Sequence, residues 1–383
     1  MAAGKAAPAC LAAPAAASGA GMSMAASLDA GTLAATPRWF PHLLDPLTDR
    51  VLLVEKTEAD YRDSAFLDER SLKADRPRHA VEWRHLAAAF PPAARRDLRY
   101  IFHIGHVGST LISRLLGELP GLLALREPLI LRVFADMLGQ RGEPEALWDP
   151  QSIPGRLDVL TALLSRTFRP EQRALVKATS FVSEIAADLV PAGSRALLLH
   201  ARPQRYLETI LAGPNSRQEL AMTARDRLKR LHRSAGGPRW RLWEMGEGER
   251  AAMAWAAETA SLARAAESLP AGSALWLDFD AFLAAPAASL AALAGFLGVP
   301  LDPAGAERLA ADPLMRRYSK ATEYEYSAEL RETVLAAARR EQAPAIAAGL
   351  RWLDSAARDC APVARALEAA AAGSTDAAAT AIR

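Results

Sequence analysis

The stretch YIFHIGHVGSTLISRLLGELP, residues 100–120, does most to limit what this chain can fold into. A short apolar run is followed by Gly105 and Gly108, then by Ser109 and Thr110, then by an apolar stretch with helical spacing. Strand, glycine turn, hydroxyls and helix together form a crossover that demands a parallel neighbour for the strand. The same rhythm recurs downstream. Strand candidates lie at 100–104, 122–125, 174–178, 195–200 and 274–279, and helical stretches at 109–118, 128–139, 156–168, 181–189, 203–212 and 249–268. Short apolar runs without alternation, separated by helices, suit a mainly parallel sheet covered on both faces. The pattern predicts a three-layer α/β fold.

The glycine turn has a chemical reading as well. The first amides of a helix lack intrahelical partners, and the helix dipole adds partial positive charge there. Gly105 and Gly108 let the backbone of Gly105, His106, Val107, Gly108, Ser109 and Thr110 curl around one oxyanion. An ATP-binding loop would add a lysine and a magnesium-binding hydroxyl. Here no lysine occurs between positions 75 and 176, and His106 stands two residues before Gly108. The alternative is a tight strand-to-helix turn with ordinary caps.

Around this unit the chain reads as follows. The first 36 residues are Ala-, Gly-, Ser- and Pro-rich and are expected to be a disordered tail, with a start at Met22 or Met24 as an alternative. Prolines at 8 and 14 interrupt any secretory signal. Residues 37–98 are expected to pack on the main domain as an extension, because they hold too few apolar residues for a core of their own. Within them VLLVEKT (51–57) reads as a strand, and 58–72 has helical spacing of Tyr61, Phe66 and Leu67. The main α/β domain is expected over 99–330, and 331–383 as a helical C-terminal segment and tail. Residues 215–248, rich in arginine and carrying Gly-Gly-Pro, break the rhythm and read as an inserted helix and loop beside the site, a candidate lid. Trp240 and Trp243 within it are expected as buried anchors or as part of an acceptor pocket.

Composition excludes several functions. With 46 basic against 44 acidic residues the formal charge is +2, which leaves no global field for nucleic acid. No apolar run is long enough to span a membrane. Cys10 and Cys360 have no metal or redox spacing, so no metal site is expected, and a reducing cytoplasm is the expected compartment.

Taken in order, these segments resemble the sulfotransferase family that uses 3′-phosphoadenosine 5′-phosphosulfate. FHIGHVGSTLISRLL resembles its 5′-phosphosulfate loop, LREP (125–128) the Glu-Pro step after its second strand, and LLLHARPQRYLETIL (197–211) its 3′-phosphate segment. LWLDFDAFLAAPAASLAALAGFLGVPLD (275–302) is similar to its late strand and Phe-Leu-Gly helix, and RRYSKATEYEYS (316–327) to its C-terminal basic loop. The resemblance runs from about 99 to 327. It implies a P-loop-type fold and metal-independent sulfuryl transfer to a hydroxyl or amine acceptor, a small molecule or glycan.

The resemblance also distributes roles. Family loops carry Lys or Arg where His106 stands, so His106 is expected to steady charge on the leaving phosphate. Ala201 takes the place of an arginine and Thr209 that of a serine, so Arg202 or Arg205 is expected to supply the 3′-phosphate charge from a shifted position. Arg316, Arg317 and Lys320 are expected to clamp the same phosphate, or else to form a solvated basic turn. Glu127, just past a strand end, is the candidate general base; its alternatives are an ion pair with Arg126 or Arg132 and a carboxylate at a helix N-terminus. Lys177 faces the site or snorkels outward. His103, inside a strand, is expected to be a core histidine. Two other functions compete: a nucleotide-binding relic of the same fold, and a P-loop kinase or NTPase with Asp278 on magnesium.

Overall fold

The computed structural model, which describes residues 30–320 and 325–380, contains two sheets. The main sheet has five strands, β4 (Arg99–His103), β5 (Leu122–Arg126), β6 (Arg173–Lys177), β7 (Arg195–His200) and β8 (Ala274–Asp278). Their order is β5-β6-β4-β7-β8, and every neighbouring pair is parallel. The chain is therefore α/β, as its periodicity predicts. The centre of the sheet, β4, is almost wholly buried, which is why its residues are apolar without alternation. From β4 the chain first winds to one side, to β5 and β6, and then to the other, to β7 and β8. The loop after β4 therefore sits at the point where the order reverses, the place where open parallel sheets present ligand crevices.

Helices cover the sheet. Ser109–Gly117 packs against β4, β5 and β6, Glu247–Ser268 against β4, and the C-terminal helix Ala361–Thr380 against β8. The Ala-rich composition of 247–268 allows that helix to be buried nearly all round, with Trp255 fully enclosed.

The second sheet is antiparallel: β1 (Trp39–Asp45), β2 (Arg50–Glu55) and β3 (Arg78–Glu82), in that order. Of these only β2 follows from the sequence. The polar stretch around 73–80 conceals β3, an edge strand whose Arg78, His79 and Glu82 keep it from pairing further. The helix expected over 58–72 stops at Asp63, since Ser64 is extended and a 3₁₀ turn follows at Glu69–Ser71. Its last carbonyls are taken by a guanidinium: buried Arg126, at the end of β5, donates to the carbonyls of Tyr61, Arg62 and Ser64. A second buried arginine, Arg166, donates to the carbonyls of Leu33, Thr36 and Trp39. Both ties run from the main sheet region to the N-terminal one.

The tail expected over 1–36 lies outside the described residues up to 29. From Ala30 the chain is already helical, with Leu33 buried, which corrects disorder over its last residues. Helices also fill 286–297, 303–310, 328–341, 343–359 and 361–380, in keeping with the helical C-terminal reading.

Candidate functional site

A cavity of about 650 Å³ opens at the C-terminal end of the main sheet, beside the loop that follows β4. The loop itself is tightly curled. Gly105 has φ 84°, His106 φ 56° and Gly108 φ 65°, all left-handed. For Gly108 this is the N-terminal cap of the Ser109–Gly117 helix, and a Cβ there would lie 1.9 Å from the Phe279 ring. Two reasons thus require glycine at 108: its backbone angle and the aromatic ring on top of it. Among the described residues no acceptor meets the amides of Val107, Gly108, Ser109 and Thr110. Consecutive amides left open at a helix start make an anion nest. The Thr110 hydroxyl, on the cavity wall, is buried with no partner, and so is that of Thr179 opposite. Orphaned donors of this kind fit a phosphate or sulfate oxygen.

His106, forced into the left-handed region by the curl, turns its Nε2 to Glu219, 3.1 Å away. Glu219 stands on the helix Pro214–Ser234, the inserted segment that breaks the rhythm of the sequence. Burial would raise the Glu219 carboxyl; His106, with Arg227 and Lys320, more than offsets this and brings its pKa down to about 2. Thr223 on the same helix also lines the cavity, so this segment forms one wall. Its tryptophans do not. Trp240 stacks on His232 at 5.9 Å and tilts against Trp352, as an anchor, whereas Trp243 is 75% exposed, which corrects the expectation for that residue.

On the other side of the loop stands Glu127, just past β5. Its backbone is left-handed too (φ 54°), and its amide donates to the Lys177 carbonyl at 2.7 Å. Glu127 and His106 are two of the three non-glycine residues of positive φ among the described residues, and both face this cavity. Backbone strain of this sort persists only where the surroundings impose it. The carboxylate of Glu127 forms an ion pair with Lys177 at the end of β6. Lys177 is fully buried; burial lowers its pKa, partly offset by the Glu127 charge. Of the expected alternatives for Glu127, a pair with Arg126 or Arg132 does not form, Arg126 being committed to backbone carbonyls, and the helix Ile130–Gly139 starts beyond it with no side-chain cap. Phe66, Arg70 and Arg132 continue the wall beyond this pair.

His103, at the end of β4, is buried as expected but also borders the cavity. Its Nδ1 accepts from the Gly105 amide at 3.0 Å, which fixes the proton of the neutral ring on Nε2. Burial holds its pKa well below the ordinary value, reinforced by Lys177.

The expected 3′-phosphate residues divide. Thr209, Arg317 and Lys320 lie on the wall, and the Thr209 hydroxyl donates to the Arg205 carbonyl at 2.7 Å. Arg202, Arg205 and Arg316 do not lie on it. Arg202 is the exposed cap of the Pro203–Ala212 helix, and Arg316 is exposed before the basic turn. Arg205 is engaged by Asp280 at 2.9 Å, Glu208 at 3.3 Å and Glu332. Ala201 cannot host an arginine, because it is 3% exposed and its carbonyl takes the Trp255 indole N–H. A wall cation on this side that sequence reasoning missed is Arg331, on the helix Ala328–Glu341, held by Asp280 at 2.5 Å and 5.3 Å from the Phe279 ring. No motif marks it, since a helix distant in sequence brings it in. Residues 321–324 of the expected basic loop lie outside the described residues.

Asp278 is off the wall. Its carboxylate caps the helix Phe279–Ala284, accepting from the amides of Asp280 and Ala281. Among the described residues no group of His, Cys, Asp and Glu is arranged to hold a metal ion. None of the described helices is long and apolar enough to cross a membrane.

No family model matches the chain, and no curated protein does. Solved structures similar to it include sulfotransferase STF9 from Mycobacterium avium, at 13% identity and a TM-score of 0.36, over 67% of this chain and 78% of that one. The sulfotransferase domain of the Synechococcus PCC 7002 olefin synthase is similar at 15% identity and 0.36, over 65% and 90%. A sulfotransferase from Alicyclobacillus acidocaldarius is similar at 16% and 0.32, over 67% and 94%. TM-scores of this size leave the description of the fold to the chain's own sheet order and loop geometry.

Proposed function

We propose that this protein is a sulfotransferase that moves a sulfuryl group from 3′-phosphoadenosine 5′-phosphosulfate to a hydroxyl acceptor without a metal ion. The observation that carries the reading is one cavity holding both an anion nest without its own lysine and, across from it, a carboxylate paired with a buried lysine. An NTPase would need a lysine in the loop and a carboxylate for magnesium; the loop has none, and Asp278 is spent on a helix cap.

The residues divide the work as follows. The amides of Val107 to Thr110 and the Thr110 hydroxyl bind the 5′-phosphosulfate end, a fit supported by their lack of protein acceptors. Arg317, Lys320 and Arg331, further cations of the cavity wall, take the 3′-phosphate. Glu127 accepts the proton of the acceptor hydroxyl as its oxygen bonds to sulfur and the bond from sulfur to the bridging phosphate oxygen breaks. Lys177, within reach of Glu127, keeps a positive charge beside the reacting group and balances the negative charge gathering on the departing phosphate. His106 is placed on the same loop for that balance, with Glu219 orienting its ring.

A second reading, a nucleotide-binding relic without turnover, draws on His106 and Lys177 each already facing a carboxylate. A thermal-shift series separates these readings from an NTPase. Adenosine 3′,5′-bisphosphate is expected to raise the melting temperature more than ATP with magnesium or AMP. Equal or greater stabilisation by ATP with magnesium would overturn the sulfotransferase reading. Transfer of label from a ³⁵S donor to an extract component then distinguishes enzyme from relic.

A further inference from the structure

The loop after β4 lacks a lysine, yet a cation is buried directly behind it. Arg227, on the inserted helix Pro214–Ser234, is 2% exposed. Its Nε donates to Glu258 at 3.0 Å and its Nη1 to the Thr223 hydroxyl at 2.6 Å, which fixes the plane of the guanidinium. The remaining nitrogen, Nη2, is buried without a hydrogen-bond partner. It points at the loop glycine that has open space beside it: a Cβ on Gly105 would lie 4.0 Å from Nη2 and 3.8 Å from the Ser180 hydroxyl, with nothing nearer than that hydroxyl. The Glu219 carboxylate forms an ion pair with Nη2 at 3.9 Å, beyond hydrogen-bond reach.

The charge balance behind the loop points the same way. Glu258 is wholly buried and receives both Arg227 and Arg230, so two buried guanidiniums share one enclosed carboxylate. Arg230 spends another nitrogen on the Phe181 carbonyl. Glu219 adds a second, looser charge partner for Arg227, but a buried guanidinium nitrogen with an unmade hydrogen bond is costly until an acceptor arrives.

We propose that Arg227 supplies from the inserted helix the cation missing from the loop: Nη2 reaches across Gly105 to an oxygen of the phosphate or sulfate group that the loop amides hold. The role rests on the anion-loop reading above and adds a binding residue to it. Glycine at 105 then serves two ends, the curl of the backbone and the open face through which a guanidinium behind the loop meets its anion. The inserted helix is part of the binding site and not only a wall of it.

Three ligands and the variant Arg227→Lys test this. Lysine keeps a cation beside Glu258, so the fold is retained, but one ammonium cannot serve Glu258, Thr223 and the loop together. In calorimetric titrations the variant is expected to bind adenosine 3′,5′-bisphosphate about tenfold or more weakly than the wild type, the range for one lost bond to a charged group. Adenosine 3′-monophosphate, which places no group in the loop, is expected to bind both proteins alike. Equal affinity of both proteins for the bisphosphate overturns the proposal, and so does an equal loss for the two nucleotides. Inorganic pyrophosphate separates this from the functional reading. If the wild type takes pyrophosphate but not the bisphosphate, the sulfotransferase reading fails while Arg227 is judged by the same tenfold loss for pyrophosphate. A wild type that binds none of them overturns both. Should the variant not fold, side-chain ¹⁵N spectra of the wild type decide: slowed exchange of the Arg227 guanidinium protons on adding pyrophosphate or bisphosphate is expected, and unchanged exchange overturns the proposal.

Discussion

A single glycine and a single carboxylate show how local geometry turns into chemistry here. Gly108→Ala places a methyl group inside the van der Waals radius of the Phe279 ring, at a left-handed φ that alanine resists. Overpacking and strain together are expected to cost about 1–3 kcal/mol of stability. The loop would also open, so adenosine 3′,5′-bisphosphate should no longer shift the melting temperature. In a Phe279→Ala background, which itself loses about 3–5 kcal/mol of core packing, Gly108→Ala is expected to cost less than in the wild type; an equal cost in both backgrounds would mean that the backbone angle alone matters. Glu127→Gln keeps the shape but can no longer take a proton. It is expected to preserve binding of the bisphosphate and to slow turnover about 10²- to 10⁴-fold, the range of a positioned general base. Wild-type rates in that variant would move the base elsewhere. At this scale the sequence was informative where residue type has few alternatives. Gly105, Gly108, Ser109 and Thr110 announce the nest because little else curls a backbone and caps a helix. Arg205 misled, because whether an arginine faces a ligand or three carboxylates is decided by residues far away in sequence.

Elements carry the next level of constraint, and two buried arginines act as their fasteners. Arg126 closes β5 by donating to three carbonyls of the 58–64 segment, which ends that helix and sends Phe66 and Arg70 to the cavity wall. Burial lowers its pKa to about 10, so it stays charged at neutral pH. Arg126→Met keeps the apolar stem but leaves those carbonyls unpaired. A loss of about 3 kcal/mol or more is expected in denaturant unfolding. Limited proteolysis should then cut within 58–72 first, and KM for the acceptor should rise more than affinity for the nucleotide changes. Uniform cutting across the chain would show that Arg126 supports the whole sheet and not this segment. Strand periodicity made the five parallel strands readable because four are buried on both faces and the edge strand β8 is at least partly covered along its length. The small antiparallel sheet was half hidden because β3, charged and at an edge, carries no such signal. The helix 214–234 was visible as an interruption. Its part in the cavity, through Glu219 and Thr223, depends on tertiary packing that no local pattern encodes.

For the molecule as a whole, acid is the condition that should tell most about how the core is built. Three histidines are buried in a neutral form: His42, held below its ordinary pKa chiefly by burial; His103, held well below it by burial and Lys177; and His200. His200 ends β7, fully enclosed against the edge of Trp276, with neither ring nitrogen hydrogen-bonded. Burial lowers its pKa to about 4; Asp278 opposes the shift and Arg202 adds to it. A histidine whose folded pKa lies below its unfolded value of about 6.5 binds more protons when unfolded. Its contribution is therefore fully present above pH 6.5, and it is lost progressively as pH falls toward 4. For His200 alone the loss across that window is on the order of 3 kcal/mol. The carboxylates of lowered pKa, such as Glu219 and Asp280, begin to lose their contribution only below their unfolded values near 4. The interval from pH 6.5 to about 4.5 thus belongs to the histidines. Denaturant midpoints are expected to fall steadily through that interval. His200→Phe, similar in size and already flanked by an aromatic neighbour, should flatten the slope while leaving stability at pH 7.5 nearly unchanged. If the variant keeps the wild-type slope, the acid sensitivity arises at His42 or His103. The His103 share is recognised by its dependence on anion binding, because His103 accepts a bond from the Gly105 amide of the anion loop and His200 lies outside the cavity.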